Sequence, residues 1–293
     1  MKKSVKVLLF FLCAIFAGVF AFSGYKLFTI MHGYKSAERT YSSLSDRYVA
    51  PIPSTTPYAA PVQDAASGAE AAPAPTAQVE TSPINVDFNQ LKSECSDIVG
   101  WIYSEGTKIN YPVVQCTRDN PVTADYYYLY RDIHGQYSGN GTPFLDVKCA
   151  GDFTDYNSII YGHHMNDGSM FASLDGYRKQ GDTYYQEHPV MYLNTPTQNY
   201  RVELFAGLLT DADSATYTVS FPDTSSFLLY CQDMKSQSNF RSDVEIQPGD
   251  RIITLSTCAY DWYDARYVVM GKLVPLGVTN PAESLVNAVQ GGN

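Results

Sequence analysis

The chain has 293 residues and a formal net charge of −10, from 20 Lys and Arg against 30 Asp and Glu. That length gives one sizeable domain or two small ones. Lacking any basic run beyond the extreme N-terminus, it offers no electrostatic footprint for nucleic acid.

Lys2, Lys3 and Lys6 precede an apolar stretch from Val7 to Ser23, with weaker hydrophobicity through Tyr25, Leu27, Phe28 and Ile30. A bilayer-spanning helix needs roughly 20 apolar residues, whereas a secretory signal core needs only about 7–15. Residues 7–30 therefore read as an uncleaved transmembrane signal-anchor, residues 1–6 as a cytoplasmic N-terminus, and the rest as extracytoplasmic. Ala21-Phe22-Ser23 resembles a small-x-small cleavage site, which keeps a cleaved signal peptide as the competing reading.

Residues 31–48 are polar with scattered apolar positions and suggest a juxtamembrane helix. From residue 50 to 83 the sequence turns to Ala, Pro, Ser and Thr, too poor in large apolar side chains to build a core. Residues 31–83 are therefore expected to form a spacer between membrane and domain.

Folded sequence is expected over residues 84–275. It opens with a short helix at 87–92, for which Asp87 is a candidate cap. Eight strands follow from alternation and β-branched or aromatic content: 98–103, 109–114, 142–146, 158–162, 190–194, 200–207, 251–256 and 266–274. The 24 Tyr residues, against 14 Phe and 2 Trp, fit such a β-rich chain. Turn signals stand at Glu105-Gly106 and at residues 195–199. Helices are expected at 170–177 and 225–235, and residues 276–293 read as a flexible tail. Many short strands with two or three helices point to a mainly β fold, a barrel with helical additions.

The six cysteines are Cys13, Cys95, Cys116, Cys149, Cys231 and Cys258. Cys13 lies in the apolar stretch, leaving five outside it, with no CxxC pair or Cys/His ligand spacing. A zinc site or disulfide scaffold is thus poorly supported, and at least one thiol stays free unless pairing is intermolecular.

Two segments carry candidate chemistry. Asn157-Ser158-Ile159-Ile160-Tyr161-Gly162-His163-His164 delivers a histidine pair past a glycine at the end of a β-run. Ile252-Ile253-Thr254-Leu255-Ser256-Thr257-Cys258 delivers a cysteine, and Arg266 opens the next β-run. Taken singly, each residue has an ordinary structural explanation: a buried small hydrophobe, a solvated loop histidine, a surface charge. Together they could serve acyl transfer. A histidine activates a thiol whose ordinary pKa is about 8.5 and returns the proton to a leaving amine. An arginine holds negative charge without exchanging protons.

Thr254-Leu255-Ser256-Thr257-Cys258 with the downstream Arg266 resembles the sortase signature. Tyr161-Gly162-His163-His164-Met165 followed by Asp167-Gly168-Ser169-Met170-Phe171 resembles the class B branch of that family. So do Asp97-Ile98-Val99-Gly100-Trp101-Ile102, Ile109-Asn110-Tyr111-Pro112-Val113-Val114-Gln115 and residues 141–146. The matches run from about Asp87 to Val274. The resemblance implies a modified eight-stranded barrel with an N-terminal helical piece, and a helix at 227–235 in the long connection before the cysteine strand.

It further implies His163, rather than His164, as the catalytic histidine, Cys258 as the nucleophile and Arg266 as the brace for substrate and oxyanion. The substrates implied are secreted proteins bearing a C-terminal sorting signal, often of an Asn-Pro-x-Thr type in class B, and a peptidoglycan-precursor amine. No metal or organic cofactor is implied. Ser256, Thr257, Tyr217 and Leu129 are the expected peptide contacts. Ala259-Tyr260-Asp261 departs from relatives that carry acidic residues nearer the cysteine, which puts any supporting role for Asp261 in doubt.

Two other readings compete. An L,D-transpeptidase-like cross-linker places glycine before its cysteine and arginine almost directly after, unlike Thr257 and Arg266 here. A non-catalytic surface binding module would leave Cys258 inert.

Overall fold

The computed structural model describes residues 3–52, 80–116 and 126–277. It opens with one continuous helix, α1 (Lys3–Tyr48). From Phe10 to Ile30 the large apolar side chains of α1 lie exposed, and the helix is long and apolar enough to cross a membrane. Its last turns behave differently. Ala37, Tyr41, Leu44 and Tyr48, spaced 4, 3 and 4 apart on one face, are buried in the main core.

Here the structure departs from the expected spacer. Directly after α1, strand β1 (Val49–Pro51) pairs antiparallel with β2 (Ile84–Val86). The Ile52 N–H donates to the Pro83 carbonyl at 2.8 Å. The intervening residues 53–79 lie outside the described part, but the residues flanking them, Ile52 and Pro83, are hydrogen-bonded to each other. The end of α1 and β1 are thus packed directly on the described body. Neither short strand is legible in the sequence, because three residues, one set including Pro51, are too few to show alternation.

Helix α2 (Phe88–Glu94) starts at the expected cap: Asp87 accepts from the Gln90 N–H at 3.0 Å. Eight strands then close a barrel: β3 (Ile98–Tyr103), β4 (Asn110–Val114), β5 (Phe144–Leu145), β6 (Asn157–Tyr161), β7 (Val190–Asn194), β8 (Asn199–Asp211), β9 (Ile252–Cys258) and β10 (Ala265–Pro275). Their order is β10-β8-β7-β3-β4-β5-β6-β9, with β4–β5 and β6–β9 parallel and the other pairs within the barrel antiparallel. All eight correspond to strands expected from alternation.

Boundaries differ where partners decide them. β8 runs on to Asp211 because β10 pairs with it along its whole length, around an irregularity at Met270/Gly271. The helix expected at 170–177 is instead a 3-10 turn (Phe171–Leu174) leading into α3 (Asp175–Gln180). It is followed by an unforeseen α4 (Asp182–Glu187).

Helix α5 (Thr224–Ser236) lies in the long connection before β9. It covers one outer face of the barrel, where Phe227, Cys231 and Met234 pack on Phe205, Ile252, Val268 and Met270. At the C-terminus Leu276 is buried and its N–H donates to Asn199, so the first residues of the expected tail are packed. Residues 278–293 fall outside the described part.

Candidate active site

Register places the nucleophile candidate. In the antiparallel pair β9–β10, Cys258 lies directly opposite Arg266. Such partners point their side chains to the same face, with Cα atoms about 4.5–5.5 Å apart. Alternation puts Ser256 on that face too and turns Thr257 to the other. The Thr257 hydroxyl is accordingly buried with no hydrogen-bond partner among the described residues, although Thr257 also lines the cleft.

The histidine arrives on the other side of β9. Parallel pairing aligns Tyr161 of β6 with Ser256, and the Gly162 N–H donates to the Ser256 carbonyl at 3.0 Å. Glycine is required at 162, because a Cβ there would sit 2.6 Å from the Phe171 ring. His163 thus leaves the strand end level with Cys258.

A third wall comes from the loop before β5. The Leu129 carbonyl lies 2.7 Å from His163 Nε2. A carbonyl only accepts, so Nε2 carries a proton and Nδ1 is left as the acceptor of the neutral ring. Gly141 (φ +58°) makes room for this wall, since a Cβ there would meet the Leu129 oxygen at 2.4 Å. The Tyr41 hydroxyl of α1 donates to the Gly141 carbonyl and also contacts Thr142 Oγ1 at 3.0 Å. Burial lowers the His163 pKa below its ordinary value, with the Leu129 hydrogen bond opposing in part. Neutral imidazole therefore dominates at neutral pH.

Tyr217, in the connection between β8 and α5, shares a 2.8 Å hydrogen bond with Ser256 and stacks on Tyr161 at 6.0 Å. Burial pushes its phenol up to about 12, against the pull of Ser256 and the Arg266 charge. It stays a neutral hydroxyl at physiological pH.

One cleft is lined by Cys258, His163, Arg266, Ser256, Thr257, Tyr217 and Leu129, so the structure brings together every residue singled out from sequence. Tyr126, Phe144, Tyr161 and Ala212 also line it and were not singled out. Tyr161 could have been found, as it sits in the histidine motif two residues before His163. His164 turns away, toward Asp175 at 3.5 Å and the Tyr260 ring. Asp261 is held by Arg178 through both carboxylate oxygens, at 2.7 and 2.8 Å, and so anchors the β9–β10 turn.

None of the six cysteines, all of them among the described residues, is in a disulfide. Cys95, Cys116, Cys149 and Cys231 are buried, and burial raises Cys231 to about 12. Outside α1, Cys258 is the thiol with access to solvent. Among the described residues no group of three or more His, Cys, Asp or Glu side chains is placed to hold a metal ion.

A Sortase domain model matches residues 104–274. Sortase B of Listeria monocytogenes is 38% identical over 190 residues, covering 64% of this chain and 74% of that protein. Sortase B of Staphylococcus aureus is 31% identical over 193 residues, 65% of this chain and 76% of the other. Among solved structures, a sortase B from B. anthracis superposes with a TM-score of 0.64 at 26% identity, covering 84% of this chain and 99% of that one. A Staphylococcus aureus sortase B–substrate complex gives 0.58 at 30% identity, covering 65% and 85%.

Proposed function

Because this chain belongs to the sortase family of cysteine transpeptidases, in its class B branch, we propose that it cleaves a C-terminal sorting signal through a Cys258 thioester and transfers the acyl group to a peptidoglycan-precursor amine. The observation that carries this reading is the cross-strand pairing of Cys258 with Arg266 in the cleft that His163 also lines.

Neutral His163 takes the thiol proton as sulfur adds to the scissile carbonyl. The Arg266 guanidinium faces the oxyanion and stays charged throughout. The imidazolium then gives its proton to the departing amine, leaving the thioester. An incoming amine adds to that carbonyl, His163 accepts its proton, and the Cys258 thiol is restored. Ser256, the Tyr217 hydroxyl and the Leu129 wall border the path of the peptide. The exposed apolar part of α1 anchors the enzyme in the membrane, N-terminus inside, with the barrel outside.

Turnover of a quenched-fluorophore peptide of the Asn-Pro-x-Thr type, using the full chain in detergent micelles, tests these assignments. Cys258→Ala should abolish it, and His163→Ala and Arg266→Ala should each lower it by about 100-fold or more. His164→Ala should retain most of it. Near-normal turnover by a folded Cys258→Ala protein would remove the reading, and a loss in His164→Ala as deep as in His163→Ala would mean the wrong histidine was assigned.

A further inference from the structure

Asp264 stands out in the turn between Cys258 and Arg266. Its φ is +63°, and the other described non-glycine residues with positive φ are Phe153 and Met170. Left-handed backbone is disfavoured for residues with a Cβ, although Asp tolerates it better than most. Such a residue persists only where its surroundings over-determine it.

What this conformation does at 264 can be read from its contacts. The Asp264 carboxylate lies 2.9 Å from Arg266 Nη2. Nη1 donates to the Asp264 carbonyl at 3.1 Å and to the Ala265 carbonyl at 3.1 Å. One guanidinium is therefore gripped by three oxygens from the two residues just before it. The turn itself is fixed on three sides. Ala259 N–H donates to the Ala265 carbonyl at 2.9 Å, Asp261 holds Arg178, and Trp262 Nε1 donates to Asp211 at 2.7 Å.

An isolated exposed ion pair contributes little, because ordering two long side chains offsets the attraction. Here the Asp264 side chain is 55% exposed, but the arginine side chain is only 27% exposed and two backbone carbonyls hold the same guanidinium. An unheld arginine spreads over many rotamers, and a charge-stabilising group is effective when it is already in place.

We propose that Asp264 is a positioning residue, holding the Arg266 guanidinium at the cleft opposite Cys258; this rests on the role given to Arg266 above. The full chain in detergent micelles, with the same quenched-fluorophore peptide, provides the test. Asp264→Asn keeps the size and the tolerance for positive φ but removes the charge; Asp264→Gly keeps the backbone and removes the side chain. Each should lower kcat/KM about tenfold, in line with losing a charge-assisted hydrogen bond. The thermal midpoint and the rate of Cys258 alkylation by an uncharged reagent should not change. In an Arg266→Ala background, Asp264→Asn should have no further effect.

If Arg266→Ala impairs turnover while both Asp264 variants match the wild type, the positioning role is overturned and the Arg266 assignment stands. Equal losses from Asp264→Asn with and without Arg266 also overturn it, since Asp264 would then act by another route. Wild-type turnover in Arg266→Ala overturns both.

Discussion

At the scale of single residues, the environment of His163 has a direct consequence for pH dependence. Burial lowers its pKa in the folded protein, with the hydrogen bond to the Leu129 carbonyl opposing in part. In the unfolded chain it titrates near the ordinary value of about 6.5. The folded state thus binds its proton less readily, so His163 subtracts nothing from stability well above 6.5 and weakens the fold as pH falls below it. The same shift keeps the base available in mild acid. The acid limb of kcat/KM assigned to His163 should therefore lie below about 6.5. A pH–rate profile whose histidine limb sits at or above that value would contradict the environment described. Strand-end positions made Cys258, His163 and Arg266 candidates, but each alone fits ordinary packing, and it is the resemblance of their segments to the sortase signature that picks them out. Asp264 was not legible, since the sign of a φ angle cannot be read from the residue name when the residue is not glycine.

At the scale of elements, the eight barrel strands were readable from alternation and β1 and β2 were not. The end of α1 was readable in principle: Ala37, Tyr41, Leu44 and Tyr48 follow a helical period through an otherwise polar stretch. That stripe was overshadowed by the Ala/Pro-rich segment after it. Its burial makes residues 37–52 part of the body rather than a tether. Each large side chain lost from it removes about 1.5–3 kcal/mol of burial, from a total stability of about 5–15 kcal/mol. A domain beginning at residue 83 should therefore melt at least 10 °C below one beginning at residue 31, at about 2–4 °C per kcal/mol. Equal melting temperatures by calorimetry would show that the docked turns contribute nothing. Tyr41 links this docking to the site, because its hydroxyl contacts the Gly141 carbonyl and the Thr142 hydroxyl, and Gly141 lies against the Leu129 carbonyl.

At the scale of the whole molecule, the distance from the exposed apolar helix to the cleft is set by α1 and the β1–β2 pair. The described residues on either side of 53–79 are already joined by the Ile52–Pro83 hydrogen bond. Loop-closure entropy changes only slowly with loop length. Replacing residues 53–79 with a short flexible turn should leave both thermal stability and peptide turnover within about twofold of the full chain. A large loss of turnover without a loss of stability would give that segment a role of its own.

The central claim is covalent acyl transfer through Cys258, and intact-mass spectrometry of the full chain with a panel of sorting-signal peptides reaches it most directly. An acyl adduct mapped to Cys258 and released by added amine is the expected result. Absence of any adduct across the panel, with Cys258 also inert to a small thiol reagent, would contradict it and leave a folded barrel that binds without reacting.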